Sequence, residues 1–216
     1  MKSKKKDPGI PAGPKSGFSR RGFLGVGLGS GALGAGLLET PAIAEPAGAP
    51  VVGPQAVPVT LNINGKPVNL TLEPRVTLLD ALRNYIGLTG AKKVCDRGTC
   101  GACTVMLNGK IVYSCTVLAI DAQGKDIQTI EGLAAPGELH PVSAAFWNND
   151  AQQCGYCTPG FVMAATGFLK ENPNPTDADV RHGLGGNFCR CGTYMGIRKA
   201  VLEAAETLKK GGTSNG

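Results

Sequence analysis

The sequence predicts an α+β protein, with a small mixed α+β half first and a purely helical half after it. Between residues 57 and 131 apolar and polar residues alternate, and the pairs Asn64-Gly65 and Asn108-Gly109 interrupt the alternation as tight hairpin turns do. From Pro141 onward the apolar positions recur at helical spacing, behind residues that cap helix starts. Ahead of both halves runs a basic, glycine-rich segment of different composition.

That first segment, residues 1–44, reads as an address rather than as part of the fold. Lys2, Lys4, Lys5, Lys6 and Lys15 lead to Ser19-Arg20-Arg21-Gly22-Phe23-Leu24, then to a weakly apolar run ending at Leu38, then to the small-residue signal Ala42-Ile43-Ala44. This is the pattern of a twin-arginine export signal, so the expected destination is the periplasm. A membrane anchor is the alternative, but the stretch from Gly22 to Leu38 is short and holds seven glycines. Gly29 to Gly34 fits G-x-G-x-x-G without a preceding strand and does not support dinucleotide binding. Residues 1–44 carry seven Lys and Arg against two acids, which leaves fifteen against fourteen for the rest of the chain. The mature protein therefore has no charge bias toward nucleic acid or an anionic membrane, and no membrane span is expected.

Residues 45–56, rich in Pro, Ala and Gly, form an extended tether. In the first half, residues 57–134, Val59, Leu61 and Ile63 predict one strand and Val68, Leu70 and Leu72 its hairpin partner, with Pro67 marking a late start or an edge. Thr77 and Asp80 cap a helix carrying Leu78, Leu79, Leu82 and Ile86 and ending near Gly87. Val105 and Leu107, then Ile111 and Tyr113, repeat the hairpin, and Asp126 to Glu131 is the last strand. The second half is residues 135–210. Pro141 opens a helix with Val142, Ala145 and Phe146 inward, and Thr158-Pro159 opens another with Phe161, Ala165, Phe168 and Leu169 inward. Thr176 with Asp179 caps a short one. Thr193 begins the longest, burying Ile197, Val201, Ala204 and Leu208 and stopping at Gly211; residues 211–216 are a tail.

The eight cysteines fall into two sets of four. Cys95, Cys100, Cys103 and Cys115 open with Cys-x4-Cys-x2-Cys, the spacing of plant-type [2Fe-2S] ferredoxins, whose fourth ligand comes from further along. Gly98 and Gly101 in that loop let backbone N–H groups approach the sulfurs. Cys154, Cys157, Cys189 and Cys191 are compact C-x2-C and C-x-C pairs, each in a loop between helices, so two helical hairpins would bring four thiolates to one end of a bundle. Four disulfides are an alternative for an exported chain, although this one is long enough to bury a core without them. Tetrahedral zinc is an alternative for the second set. Thr158 excludes a C-x-x-C-H haem site, His140 and His182 are not placed for Rieske ligation, and a thioredoxin-like Cys154–Cys157 leaves six cysteines unexplained.

The stretches Lys93 to Val105, Asn108-Gly109, Thr129 to Leu133, Gln153 to Gly160 and Asn187 to Tyr194 together resemble the two-cluster iron-sulfur subunit of the xanthine oxidase, or molybdenum hydroxylase, family, and with the leader most resemble the small subunit of a periplasmic aldehyde oxidoreductase. The resemblance spans about residues 57 to 210. It implies a β-grasp ferredoxin domain holding one [2Fe-2S] cluster on Cys95, Cys100, Cys103 and Cys115, and a four-helix domain holding a second on Cys154, Cys157, Cys189 and Cys191. It further implies that Gln153, by its side-chain amide, and Cys191, by its backbone, touch the molybdopterin of a large subunit, and that electrons leave toward an FAD-binding medium subunit. No substrate-activating residue is expected in this chain, since neither histidine has an obvious partner. A free-standing two-cluster carrier, an isoquinoline- or xanthine-type hydroxylase subunit, and a non-redox module held by disulfides or zinc are the competing readings.

Overall fold

The computed structural model describes residues 53–212, so the leader, nearly all of the tether and residues 213–216 lie outside the described residues. The described part belongs to one compact unit. Strands β1 (Val57–Ile63) and β2 (Lys66–Leu72) pair antiparallel around Asn64 and Gly65, both with positive φ, 51° and 76°, as a two-residue hairpin turn demands. Helix α1 (Leu78–Asp80) continues as a π-helical stretch over Ala81–Ile86. The Thr77 side chain accepts from Asp80 N–H at its start, and left-handed Gly87 (φ 83°) ends it. The widened last turn, closed by Leu88 N–H on Leu82 O at 2.9 Å, is a departure from the regular helix expected there.

Strands β3 (Thr104–Leu107) and β4 (Lys110–Tyr113) form the second hairpin, turning at Asn108 (φ 49°) and Gly109 (φ 77°). Strand β5 (Asp126–Gln128) pairs parallel with β1 and antiparallel with β3, giving the order β2-β1-β5-β3-β4. The sheet therefore has β2 at its edge, where Pro67, which has no N–H to give a further neighbour, is tolerated. The last strand stops short of the expected Glu131, and Ile130–Gly132 is a 3-10 turn instead. The cause is Asn64: its side chain accepts from Thr129 N–H at 2.9 Å and donates to Thr129 Oγ1 at 3.0 Å, pulling the chain out of the ladder.

Four helices follow: α2 (Pro141–Asn148), α3 (Thr158–Glu171), α4 (Asp177–Gly183) and α5 (Tyr194–Gly212). Thr176 and Asp179 form the expected capping box on α4. Two apolar cores result. One joins Val59, Leu61, Leu78, Leu79, Leu82 and Ile127 between the sheet and α1; the other joins Phe146, Phe161, Phe168, Val180, Ile197 and Val201 among the helices. Helix α3 lies at the seam, against β3 and β4 on one side and the other helices on the other, and every residue from Gly160 to Leu169 is buried. Helix α5 departs from expectation at its end: Leu208 is exposed and the helix runs through Gly211 to Gly212. Its partner α2 has eight residues against nineteen in α5, so the last turns of α5 outrun the surface they could pack on.

Candidate metal centres

The first cysteine set is shaped by one loop and one hairpin. Residues 95–103 curl through three left-handed positions, Asp96 (φ 56°), Gly98 (φ 68°) and Gly101 (φ 69°), which turn backbone N–H groups toward the inside of the loop. Gly98 N–H donates to Cys115 Sγ at 3.2 Å and Thr99 N–H to Cys95 Sγ at 3.4 Å. The eleven-residue gap from Cys103 to Cys115 is hairpin β3–β4 plus Ser114. Because a hairpin returns to where it began, Ser114 bonds Cys103 O through its N–H (3.3 Å) and its hydroxyl (2.7 Å), and the two sulfurs arrive side by side. Lys93 braces the entry with ion pairs to Asp80 (2.8 Å) and Asp96 (3.1 Å).

The second set joins two loops that lie far apart in sequence. Cys154 and Cys157 precede α3 around left-handed Gly155 (φ 78°); Cys189 and Cys191 precede α5 beside left-handed Gly192 (φ 80°). Close backbone approach brings them together, since a Cβ on Gly196 of α5 would stand 2.6 Å from Asn149 O and 2.8 Å from Asp150 O. Tyr194 Oη accepts from Cys189 N–H at 2.9 Å while its ring meets Phe161 edge-on, and the Thr193 hydroxyl lies 3.2 Å from Cys189 Sγ.

All eight cysteines are free thiols, and they stand two by two. The thiols influence one another in pairs, Cys95 with Cys100, Cys103 with Cys115, Cys154 with Cys191 and Cys157 with Cys189, without a disulfide between them. Two thiolates on each of two irons is the demand of a [2Fe-2S] cluster, and the paired sulfurs with their N–H donors fit it.

Burial pushes Cys103 and Cys157 up to about 12, helped by the neighbouring Cys115 and Cys189 thiols. Burial also opposes ionisation of Cys95 and Cys189, but hydrogen bonds outweigh it. N–H groups of Arg97 and Thr99 hold Cys95 at about 6, and the hydroxyl and N–H of Thr193 hold Cys189 at about 7. Each set thus contains one thiol that ionises readily and one that holds its proton, so loading metal releases protons.

The two sets touch through hydrogen bonds that the residue pattern did not reveal. Phe188 N–H donates to Cys100 O at 2.9 Å, and buried Asn187 donates from Nδ2 to Gly101 O at 2.9 Å and to Thr104 Oγ1 at 3.3 Å. Tyr113 Oη donates to Gly186 O at 2.9 Å. From the opposite side α3 presses Gly160 onto the same loop: a Cβ there would stand 2.5 Å from Gly101 O. Asn187 and Gly160 lie inside the recognised motifs, but nothing in their spacing says that they grip Gly101.

Gln153, Cys154 and Cys191 are exposed, whereas Cys103, Cys115 and Cys189 are buried, so the second set opens on the surface with Tyr156, Phe188 and Met195 around it. Residues 61–131 match the 2Fe-2S iron-sulfur cluster binding domain family and residues 129–202 the [2Fe-2S] binding domain family. The aldehyde oxidoreductase iron-sulfur-binding subunit PaoA of Escherichia coli (strain K12) is 43% identical over 186 residues, covering 79% of this chain and 80% of that protein. The chain belongs to the iron-sulfur small subunits of the aldehyde oxidoreductase and xanthine dehydrogenase family.

Membership makes it the electron-transferring subunit of a molybdenum-dependent oxidoreductase. Other family members are similarly near. The small FeS subunit of nicotinate dehydrogenase from Eubacterium barkeri is 43% identical over 150 residues, 69% of this chain and 96% of that one. Quinoline 2-oxidoreductase from Pseudomonas putida 86 contains a chain that superposes with a TM-score of 0.70 at 41% identity, covering 73% of this chain and 98% of that chain. The aldehyde oxidoreductase of Desulfovibrio desulfuricans superposes with a TM-score of 0.68 at 40% identity, but 71% of this chain covers 17% of that much longer one. No helix among the described residues is long and apolar enough to cross a membrane.

Proposed function

We propose that this chain relays electrons from a molybdopterin centre in a large partner subunit, through a cluster on Cys154, Cys157, Cys189 and Cys191 and then one on Cys95, Cys100, Cys103 and Cys115, to an FAD-binding medium subunit, within a periplasmic aldehyde oxidoreductase. The observation that carries the reading is the contact between the two sites: the N–H of Phe188, adjacent to Cys189, bonds the carbonyl of Cys100 at 2.9 Å. When bound, each [2Fe-2S] cluster takes up and returns one electron. The chain's own residues set the terms. Gly98 and Thr99 donate N–H groups to the sulfurs of the first set, the Thr193 hydroxyl lies beside Cys189 Sγ in the second, and Asn187 clamps one loop to the other. Donors aimed at sulfur stabilise the added negative charge and raise the potential.

The first half is then a β-grasp ferredoxin domain and the second a four-helix cluster-binding domain. Exposure of Gln153 and Cys191 beside the open second set supports a pterin-bearing partner seated there, Gln153 offering an amide that both donates and accepts. The names of PaoA and of the Desulfovibrio enzyme support an aldehyde as substrate. The likeness to a quinoline 2-oxidoreductase chain favours, as a second reading, a hydroxylase of nitrogen heteroaromatics. Since the substrate meets another subunit, assays of the native complex with aldehydes against N-heteroaromatics separate the two.

Native purification is expected to give a complex containing molybdenum, flavin and two distinct [2Fe-2S] signals by EPR. A chain isolated without iron, or one that never associates with a molybdopterin subunit, overturns the reading. The twin-arginine leader has its own test: Arg20→Lys with Arg21→Lys is expected to strand the chain in the cytoplasm, and unchanged export refutes the assignment.

A further inference from the structure

Two helices begin beside the second cysteine set, and each has a threonine at its start. At α5 the Thr193 hydroxyl is placed, 3.2 Å from Cys189 Sγ and 3.4 Å from Ala151 O. At α3 the corresponding residue is Thr158, which follows Cys157 directly. Its Oγ1 is buried and has no hydrogen-bond partner, while its backbone N–H goes to Gly155 O at 3.3 Å. It caps nothing, because the N-cap of α3 is Cys157 and makes no side-chain cap bond. Nor does it bond back into its own helix as Thr166 does, whose hydroxyl reaches Val162 O at 2.8 Å. Of the two buried side-chain atoms without a partner among the described residues, Thr158 Oγ1 is the one that adjoins a cysteine, the other being Arg198 Nε. A buried hydroxyl left without an acceptor is destabilising, and the acceptor that suits this position, next to Cys157, is sulfur of a bound cluster.

We propose that the Thr158 hydroxyl donates a hydrogen bond to a sulfur of the cluster held by Cys154, Cys157, Cys189 and Cys191, and thereby raises the reduction potential of that cluster; this rests on the reading of the second set as a [2Fe-2S] site. Reduction adds one negative charge to a sulfur-rich centre, so a fixed O–H donor stabilises the reduced form more than the oxidised one. Thr158 is a positioning and tuning residue, not a ligand.

The test is a potentiometric titration of the purified holo-complex, following the EPR signals of both clusters. Thr158→Val removes the hydroxyl at nearly constant shape and is expected to make the second-set cluster about tenfold harder to reduce, a shift of about 59 mV to more negative potential for one electron. Thr158→Ser is expected to stay near wild type, and the cluster on Cys95, Cys100, Cys103 and Cys115 serves as an unshifted internal reference. If Thr158→Val prevents cluster assembly, Thr158→Ala makes the same deletion with less bulk and carries the same expected shift. An unchanged potential in the hydroxyl-free variant, or an equal shift in Thr158→Ser, overturns the inference. Wild-type protein lacking any iron signal from the second set instead overturns the parent reading.

Discussion

The two cysteine sets reach similar pairings of sulfur by opposite means. In the first, one loop and one hairpin suffice: Cys95, Cys100 and Cys103 share nine residues, and Cys115 returns beside Cys103 because β3 and β4 are antiparallel. In the second, two loops separated by α3 and α4 must meet, and they do so through backbone approaches at Gly196 and a tyrosine that bridges Cys189 to the core. A local site is specified by turn chemistry and tolerates loosening of the rest of the fold. A non-local site depends on the packing of a whole bundle. The difference also sorts exposure: hairpin and loop enclose Cys103 and Cys115, whereas the meeting of two helix starts leaves Cys154 and Cys191 at the surface, where a partner can reach them.

The strongest way to break this comparison is to remove one ligand. Cys189→Ser is expected to abolish one of the two cluster EPR signals, halve the iron and stop turnover, with the other signal intact because its four sulfurs lie elsewhere. Loss of both signals would falsify the independence of the two sets. Next in size is the non-local core itself. Phe161 is fully buried, contacts Tyr194 and is expected to cost roughly 3–5 kcal/mol on truncation to Ala. Iron retention should then fall first in the second set, and equal loss from both sets on mild heating would show that locality confers no advantage.

A smaller effect is expected at the seam. Asn187→Ala deletes the donor to Gly101 O and Thr104 Oγ1, but Gly101 O keeps the Thr104 N–H (3.2 Å) and hydroxyl (2.6 Å) as donors, so stability in thermal unfolding should fall by only roughly 0.5–1.5 kcal/mol. Both clusters should remain, with an altered magnetic interaction between their reduced forms; an unaltered spectrum would mean that the remaining Phe188 to Cys100 bond alone fixes the register. Smallest is the α4 cap. Hydrogen bonds from Thr176 hold the Asp179 carboxyl below its ordinary value of 3.8. A folded-state value below the unfolded one means stability that is present above pH 3.8 and lost as pH falls through the depressed value. Asp179→Asn should therefore flatten part of the acid limb of a stability profile, and an unchanged limb counts against the cap.

Much of this was legible in the residues. Asn64-Gly65 and Asn108-Gly109 announce their hairpins because the turn needs left-handed residues, and Thr176 with Asp179 announces α4 because the capping box is a matter of three residues' spacing. Where local signals competed with distant partners, the residue pattern misled. The last strand is cut short by Asn64, sixty-five residues away from Thr129, and Leu208 is exposed because α2 is too short to cover the far end of α5.

The sequence by itself laid out two spacing patterns of four cysteines, since spacing within a loop is a property of adjacent residues, and it determined the order of strands and helices along the chain. Only the tertiary structure decided how the two sets face each other. Asn187, Phe188 and Gly160 converge on Cys100 and Gly101 from segments that have no reason in their own sequence to meet, and that convergence exists because α3 packs between sheet and bundle. Local patterns fix what a segment can become; contacts between segments form when burying apolar surface brings their backbones within hydrogen-bond reach.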